Sequence, residues 1–594
     1  MDSPQFAQYA LLGVIGMVTI VTVAAFSKKL GVAAPLILVV LGIGGSYLPV
    51  FPADFALPPQ VILVGLLPLL LYSAAINVPL VDFRRNLNSI SALSVLLVVA
   101  SAFITGSLLY LIFPDLNFAA AVALGAVISP TDAVAATSLG KRLGLPPRLV
   151  TILEGESLVN DATALVLLRS AVAAASAIVA GVTTVNVGGV IGDFAYAAVV
   201  AVVVGLIIGF VTVFLRSKLH DPVLDTAISF AVPFIAFIPA QQLGASGVLA
   251  VVVAGLYAGH SSARHFTPQA RISERLNWRT VQFLVENVLF LLMGLQIRRI
   301  VESVDSQAFP VIDAVYVGLL MSAVVIGVRF LFVGPLLYGL QRRNEQRERK
   351  NRRFALAIER VRGRAKQDKD LQRSRERAKR VYNRRATDLT QLREEGFGWR
   401  GGVILSWSGM RGVVTLAAAQ SLPVDGSFPH RAQLIVVAFT VAISTLLIQG
   451  GTLPWLIRAS GIRGTDQAAD RRELATLLDA IGEAGVSVLE NPRLELPGDD
   501  RLDPEVVERV RHDTLLGAES AWERAEHGAG ADALVHSPHQ QYRALRREVL
   551  EAEREALLDA RSAGTYASRI LSRAQVLLDL EETRLEQIDN PNEA

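Results

Sequence analysis

Long apolar runs, separated by short polar or Pro/Gly-containing stretches, fill most of the chain before residue 460. A helix of about 20 apolar residues crosses a hydrocarbon core roughly 30 Å thick. The pattern therefore predicts thirteen membrane spans, at residues 8–26, 31–50, 60–79, 90–113, 117–139, 147–180, 187–216, 222–240, 243–259, 279–297, 311–340, 401–421 and 431–458. The apolar runs stop after the last of these.

Basic residues are distributed unevenly between the two sides of this predicted membrane domain. The loops after odd-numbered spans carry most of them, as in Lys28-Lys29, Arg84-Arg85 and Lys141-Arg142. Because cytoplasmic loops are enriched in Lys and Arg, these loops are predicted to face the cytoplasm. The N-terminus is therefore expected outside, and the tail after the thirteenth span inside.

Composition and charge divide the chain further. Hydrophobic residues make up 52% of it, too many for an ordinary soluble protein. The net charge of +3 conceals an insert with 21 Lys/Arg against 9 Asp/Glu and an acidic C-terminal stretch. Four segments are predicted, at 1–340 and 401–458 in the membrane, 341–400 as the basic insert, and 459–594 as an acidic helical cytoplasmic tail. The chain has no cysteine, which excludes disulfides and thiol chemistry.

The two polar segments have open interpretations. The basic insert is either a solvated charged helix or a contact for anionic lipid headgroups, which attract polybasic segments near a membrane. No motif in it supports binding to nucleic acid. The tail is either a small helical domain that supports dimers or regulation, or a plain amphipathic hairpin.

Polar and ionisable residues within the predicted spans are concentrated in a few places. Such residues cost several kcal/mol in lipid unless they are paired or hydrated, so each marks a candidate functional site. They comprise Ser129, Thr131 and Asp132 in span five, Glu154, Glu156, Asn160, Asp161 and Arg169 in span six, and Arg411 in span twelve. Glu286 and Arg329, in spans ten and eleven, are expected to pair or to line a cavity.

Spacing in span six places its polar groups together. Glu156 and Asn160 are four residues apart, as are Ser157 and Asp161, so both pairs lie on neighbouring faces of one helix. These residues are predicted to form a site in the interior of the bundle. The alternative, that 147–160 is only a loop and a helix end, fits poorly because the sequence continues directly into apolar residues.

Two spans are predicted to be interrupted. Pro130 removes a backbone donor in mid-span and disfavours helix at the preceding residue. In span twelve, glycines surround Arg411, among them Gly409 and Gly412. Unwound backbone at membrane depth is tolerated where it lines a cavity, and paired broken helices are typical of inverted-repeat transporters that bind ions near the midplane.

Three motifs in sequence order resemble a known family. SPTDAVA (129–135), LEGESLVNDATALVLL (153–168) and GMRGVVTLAAA (409–419) are similar to those of the cation:proton antiporter-1 family, with NhaP-type bacterial exchangers as the nearest branch. The resemblance extends over roughly residues 8–457. It implies an all-α NhaA-like inverted-repeat fold with a dimerisation domain, a six-helix core domain and elevator-type alternating access, in a homodimer of a bacterial inner membrane.

The resemblance also implies residue roles. Asp161 is the ion-binding carboxylate, Asn160 its neighbour, and Ser157 and Thr131 are oxygen ligands of Na⁺. Asp132 lies at the helix crossover. Glu156 and Arg411 are expected to form a structural ion pair, in agreement with the need of buried charges for a partner.

One position departs from the family pattern. Related proteins carry a Glu in a span-three segment like LPPIIFEA, where this chain has LPLLLYSA (67–74), with Ser73 in place of the Glu. The loss of a possible carboxylate ligand leaves the preference between Na⁺ and K⁺ open.

The expected function is exchange of a monovalent cation, with Na⁺ favoured, for H⁺, in the service of pH and sodium homeostasis. A carboxylate withdrawn from water is neutralised by a proton or by a cation, so the two exclude each other. One titrating acid per cation predicts electroneutral 1:1 exchange, unless Asp132 also titrates. The alternatives are a K⁺/H⁺ antiporter of the same fold and, more remotely, a cation channel. No cofactor is expected, and no enzyme, because HExxH and GxSxG motifs are absent from the sequence.

Overall fold

The computed structural model describes residues 3–48, 58–132, 134–181, 187–219, 221–304, 309–361, 398–424 and 426–462, together with Tyr382 and scattered positions between 472 and 585. The described residues form helices and the turns that connect them. The chain divides into two compact units, Met1–Gly464 and Thr465–Ala594.

The helices of the first unit are numbered here in chain order. They are α1 Ser3–Leu30, α2 Ala34–Ser46, α3 Leu67–Asn77, α4 Leu80–Ser91, α5 Val98–Ile112, α6 Phe118–Ile128, α7 Val134–Arg142, α8 Pro147–Val179, α9 Val187–Arg216, α10 Pro222–Gln242, α11 Gly247–His265, α12 Pro268–Leu295, α13 Ile297–Glu302, α14 Val311–Val361, α15 Trp399–Trp407, α16 Val413–Gln420 and α17 Arg431–Ser460. A π-helical segment, Val61–Leu66, leads into α3, and another, Ala92–Leu97, joins α4 to α5.

The helices account for the predicted membrane spans. Seven helical stretches of the described chain are long and apolar enough to cross a membrane, and five shorter apolar helices accompany them. The predicted twelfth span corresponds to the pair α15 and α16. The all-helical polytopic membrane fold is confirmed, and the exact number of thirteen crossings stays a prediction.

Both predicted interruptions are present. The helix α6 ends at Ile128, before Pro130, and α7 begins at Val134. The second break separates α15 from α16 at residues 408–412. The amide of Asp132 donates a 2.7 Å hydrogen bond to the carbonyl of Met410 in an isolated antiparallel bridge. The two broken helices therefore cross at their unwound segments.

Close packing between helices depends on small residues. A Cβ added to Gly42 of α2 would lie 2.9 Å from the Cα of Gly294 in α12, and one added to Gly294 would lie 2.8 Å from the Cα of Gly42. Only glycine permits the two backbones to approach this closely. Lipid does not drive helices together as water does. Small residues at such contacts allow the close van der Waals packing that holds the helices together instead.

The polar segments are described in part. Helix α14 continues past residue 340 to Val361, so the start of the basic insert extends the eleventh span. The rest of the insert, apart from Tyr382 and the residues from 398, lies outside the described residues. In the second unit the described residues are helical, and Arg546 lies 3.4 Å from Glu553 and 3.6 Å from Glu581.

A buried ionic cluster joins α9, α10 and α12. The guanidinium of Arg216, 1% exposed, donates two 2.8 Å hydrogen bonds to Asp225 and lies 2.7 Å from Glu274. It also stacks 4.2 Å from the centroid of the Phe266 ring. One cation therefore forms ion pairs with two buried carboxylates and links three helices.

Substitution of Arg216 should destabilise this part of the fold. In Arg216→Gln both Asp225 and Glu274 lose their cation, and breaking a buried pair typically costs about 3–5 kcal/mol. We expect a clear fall in the thermal unfolding temperature of the detergent-solubilised protein. Lys218→Gln, at an exposed site two residues later, should be neutral. Equal stability of Arg216→Gln and the wild type would contradict a structural role for the cluster.

Candidate functional site

The two breaks can cross because glycine leaves room for functional side chains. A Cβ on Gly409 would lie 2.6 Å from the Cδ and Nε of Arg329, and one on Gly412 would overlap the carboxylate of Asp132. A side chain at either position would therefore displace Arg329 or Asp132. The glycines that flank Arg411 in the sequence serve this close approach.

Several backbone carbonyls at the breaks accept hydrogen bonds from side-chain donors. Arg411 donates from Nε to Ile128 O at 3.1 Å and from Nη1 to Gly409 O. Arg329 donates from Nε to Leu405 O at 3.1 Å. Buried carbonyls at helix ends need such partners in the membrane, and cations are favoured at the negative C-terminal ends of helices. The two arginines thus cap the half-helices α6 and α15.

Glu156 is the centre of a polar network that links α8 to α14 and to the first break. Its Oε2 accepts a 2.8 Å hydrogen bond from Nη2 of Arg329, and its Oε1 pairs with Nη1 of the same guanidinium. The hydroxyl of Thr131 donates to Oε1 at 2.7 Å. Glu156 and Arg329 are 2% and 1% exposed, so each buried charge has its counterion.

The direct ion pair of Glu156 is with Arg329, whereas the motifs suggested Arg411, which interacts with Glu156 only electrostatically. Arg329 donates two hydrogen bonds to the carboxylate of Glu156, and the guanidinium of Arg411 donates to main-chain carbonyls instead. The physical reason is geometry. Arg411 lies inside the break itself and is anchored by its own amide, which donates to the Thr445 hydroxyl at 3.1 Å.

Asn160 fixes the unwound segment against α8. Its side-chain amide donates to the carbonyl of Thr131 at 2.8 Å and to the Thr131 hydroxyl at 3.0 Å. Its Oδ1 is buried and has no hydrogen-bond partner among the described residues. The structure thus brings together Thr131, Glu156 and Asn160, as their grouping in the sequence predicts.

Asp161 is the next residue on α8 and is 9% exposed. Among the described residues, none donates a hydrogen bond to its carboxylate, and its charged neighbour is Asp132 at the crossing. Ser157, one turn earlier, is half-buried. A buried carboxylate beside a second acid has no protein cation to neutralise it, which suits binding of a proton or a metal cation.

Two further polar positions in the predicted spans are Ser73 and Glu286. Ser73 on α3 is fully buried, and its hydroxyl donates to Leu70 O at 2.7 Å within its own helix. Glu286 on α12 is half-buried, accepts a 2.7 Å hydrogen bond from Gln282 and interacts electrostatically with Asp132. Arg329, which the sequence predicts to pair or to line a cavity, pairs with Glu156, and the sequence did not identify that partner. Its signal was a lone cation within an otherwise apolar span.

Comparisons with known proteins agree with this geometry. Residues 16–459 match the family model described as "Sodium/hydrogen exchanger, transmembrane". A protein of Mycobacterium tuberculosis described as an uncharacterized Na⁺/H⁺ exchanger is 27% identical over 595 residues, which cover 98% of this chain and 97% of the relative. A sodium, potassium, lithium and rubidium/H⁺ antiporter of Bacillus subtilis is 26% identical, over 75% of this chain and 61% of its own.

A solved structure shows the same fold. The sodium proton antiporter MjNhaP1 from Methanocaldococcus jannaschii superposes with a TM-score of 0.55 at 17% sequence identity. The match covers 77% of this chain and all of that one. The NhaP-like architecture expected from the three motifs is therefore confirmed.

The Glu156–Arg329 pair makes a quantitative prediction. Arg329→Gln should cost about 3–5 kcal/mol of stability, because it leaves a carboxylate buried without its cation. The double variant Glu156→Gln/Arg329→Gln should recover much of this loss, because both charges are removed together. Comparison of the four proteins in a double-mutant cycle gives the coupling energy of the pair. Thermal unfolding of the four proteins in detergent measures the coupling.

The same cycle between Glu156→Gln and Arg411→Gln distinguishes the two cations. We expect a smaller coupling there, because Arg411 caps carbonyls and does not contact the carboxylate. A larger coupling for Arg411 than for Arg329 would restore the pair that the motifs suggested.

The glycines at the crossing make a second prediction. Gly409→Ala should displace Arg329, and Gly412→Ala should displace Asp132, with the loss of about 1–3 kcal/mol typical of overpacking. Gly327→Ala is the matched control on α14, since a Cβ there meets no atom within 4 Å. Thermal unfolding of the three variants tests this, and equal stability for all of them would exclude a tight crossing.

Proposed function

This chain belongs to the sodium/hydrogen exchanger family, and we propose that it exchanges a monovalent cation, with Na⁺ favoured, for H⁺ at Asp161. The single observation that carries the proposal is the contrast between two neighbouring acids on α8. Glu156 has a bidentate counterion, and Asp161 has none among the described residues. The first is therefore assigned to structure and the second to transport.

Competition at Asp161 couples the two ions. Desolvation disfavours the bare carboxylate, so a proton or a cation must neutralise it before the site crosses the membrane. The proton and the cation cannot bind Asp161 at the same time, and the site does not cross the membrane readily with neither bound. Obligatory exchange then needs no additional coupling element.

The oxygen ligands proposed for the cation are compatible with the network. Thr131 donates its proton to Glu156 and accepts one hydrogen bond from Asn160. A hydroxyl oxygen has two lone pairs, so one remains for a cation beside Asp161. Ser157, half-buried one turn before Asp161, supplies the other hydroxyl. Hard oxygen ligands suit an alkali cation.

Electroneutral 1:1 exchange requires that Asp132 remain charged. Its carboxylate lies against Gly412, which precedes the N-terminus of α16, and its own position lies just before α7. Helix N-termini carry partial positive charge and stabilise an anion. We therefore assign Asp132 to compensation of the two half-helices, which leaves Asp161 as the group that titrates during transport.

A K⁺/H⁺ antiporter of the same fold is the second candidate. Ser73 stands where the family pattern has a Glu, so the site has lost a carboxylate that would favour a small cation. The Bacillus subtilis relative is named for four alkali cations, potassium among them. We also propose that the protein is a homodimer, that its tail is cytoplasmic, and that the exchange serves pH and sodium homeostasis.

The test is ion-driven proton movement in proteoliposomes containing a pH-sensitive dye, with Na⁺, Li⁺ and K⁺ compared. Asp161→Asn should abolish exchange to the level of empty liposomes, because an amide neither binds a proton nor carries a charge. The order of the three ions in the wild type decides between Na⁺ and K⁺.

Asp193→Asn is the matched control, since Asp193 is an exposed aspartate on another membrane helix, α9. It should leave exchange intact. Undiminished exchange by Asp161→Asn would place the site elsewhere. A dependence of the exchange rate on membrane potential would contradict 1:1 stoichiometry and would indicate that Asp132 also titrates.

A further inference from the structure

An apolar groove of about 770 Å³ runs along the outer surface of the helix pair α5 and α14. Leu96, Ala100 and Ile104 line one wall, and Leu331, Phe332 and Leu336 line the other. We refer to it as the α5–α14 groove. None of its lining residues belongs to the proposed ion site, so the two are distinct.

The groove has the length of one lipid leaflet. Its α14 wall runs from Val328 to Leu340, a rise of about 18 Å at 1.5 Å per residue. Half of a hydrocarbon core is about 15 Å thick, and the headgroup region adds several ångströms. A phospholipid acyl chain therefore fits the groove lengthwise.

Polar lining is confined to one end of the groove. Asn88 and Ser91 line that end from α4, and Gly339 lies opposite them on α14. This is also the end at which α14 enters its basic run. In the predicted topology it faces the cytoplasm.

Two arginines flank this polar end. Arg84 lies one turn before Asn88, and Arg342 lies three residues after Gly339, so each shares the groove-facing side of its helix. Both are exposed, and neither forms an ion pair with any described residue. The guanidinium of Arg342 lies 5.0 Å from the centroid of the Tyr338 ring, which restricts its position.

We propose that the α5–α14 groove binds an anionic phospholipid. One acyl chain lies along the apolar walls, and the phosphate sits between Arg84 and Arg342, with Asn88 and Ser91 as hydrogen-bond donors. Guanidinium groups match phosphate oxygens in geometry as well as charge. A zwitterionic lipid would add a cation beside the two arginines, which makes the anionic class the better partner.

With Arg342 at a bound headgroup, the first turn of the basic insert contacts lipid, which is the second of the two interpretations of this segment. Lipid binding at this groove is independent of the exchange reaction, and each can fail without the other.

Native mass spectrometry of the full-length protein provides the test, with dioctanoyl phosphatidylglycerol and dioctanoyl phosphatidylcholine titrated separately. The wild type should bind phosphatidylglycerol more tightly. The double variant Arg84→Gln/Arg342→Gln should lose about 30-fold in that affinity, since each basic residue near an anionic lipid is worth about 1 kcal/mol and 1.4 kcal/mol is tenfold. Its affinity for phosphatidylcholine should fall much less, because the choline cation already opposes the two arginines in the wild type.

Matched controls separate this site from general surface charge. Arg264→Gln/Arg275→Gln removes two exposed arginines from the same predicted side of the protein, elsewhere in the fold, and should leave lipid affinity unaltered. Ala100→Phe fills the groove and should weaken both lipids. Glycerol phosphate should not displace phosphatidylglycerol, because it lacks the acyl chain.

Several results would overturn the proposal. Equal affinity of the wild type for the two lipids would remove the role of the arginines, as would an unchanged affinity in their double variant. An equal loss in the Arg264/Arg275 control would show that binding is diffuse. If Ala100→Phe does not fold, the arginine variants decide alone, since their side chains are exposed.

Discussion

Backbone groups released where α6 and α15 end lie at membrane depth, where water is not available to satisfy them. The structure resolves this constraint with long-range donors. Arg411 reaches Ile128 O, Arg329 reaches Leu405 O, and Asn160 reaches Thr131 O. Each donor must itself be held in place, and Arg329 is also paired with a counterion, Glu156. The polar network of the protein follows from that requirement.

Charge pairing distinguishes the acidic residues near the crossing. Glu156 neutralises Arg329, and Asp132 lies at the positive ends of two half-helices, so these charges are committed to the crossing. Asp161 is left beside them without a counterion in the described part of the protein. The proposed single-site exchange rests on this contrast between paired charges and one carboxylate that has no described counterion. The pairing also explains why polar residues in the spans occur together and not singly.

The remaining helices are held together by glycine contacts and by a buried ionic cluster. Gly42 and Gly294 bring α2 and α12 into backbone contact, and Arg216 ties α9, α10 and α12 through Asp225 and Glu274. Lipid does not drive helices together as water does, so close packing and buried polar contacts carry the association. On the lipid side, the α5–α14 groove gives the basic extension of α14 a place at the membrane surface.

The sequence by itself determined the helical membrane fold, the position of both breaks and the residues of the polar cluster. Hydropathy, Pro130 and the i, i+4 spacing in α8 are local signals, and they depend only on neighbours along the chain. The partner of Glu156 was not local. Arg329 and Arg411 are both single cations in distant spans, and spacing cannot tell which of them reaches the carboxylate. Only the tertiary structure decided it, because the crossing places Arg411 against main-chain carbonyls, and Gly409 leaves the space through which Arg329 approaches Glu156.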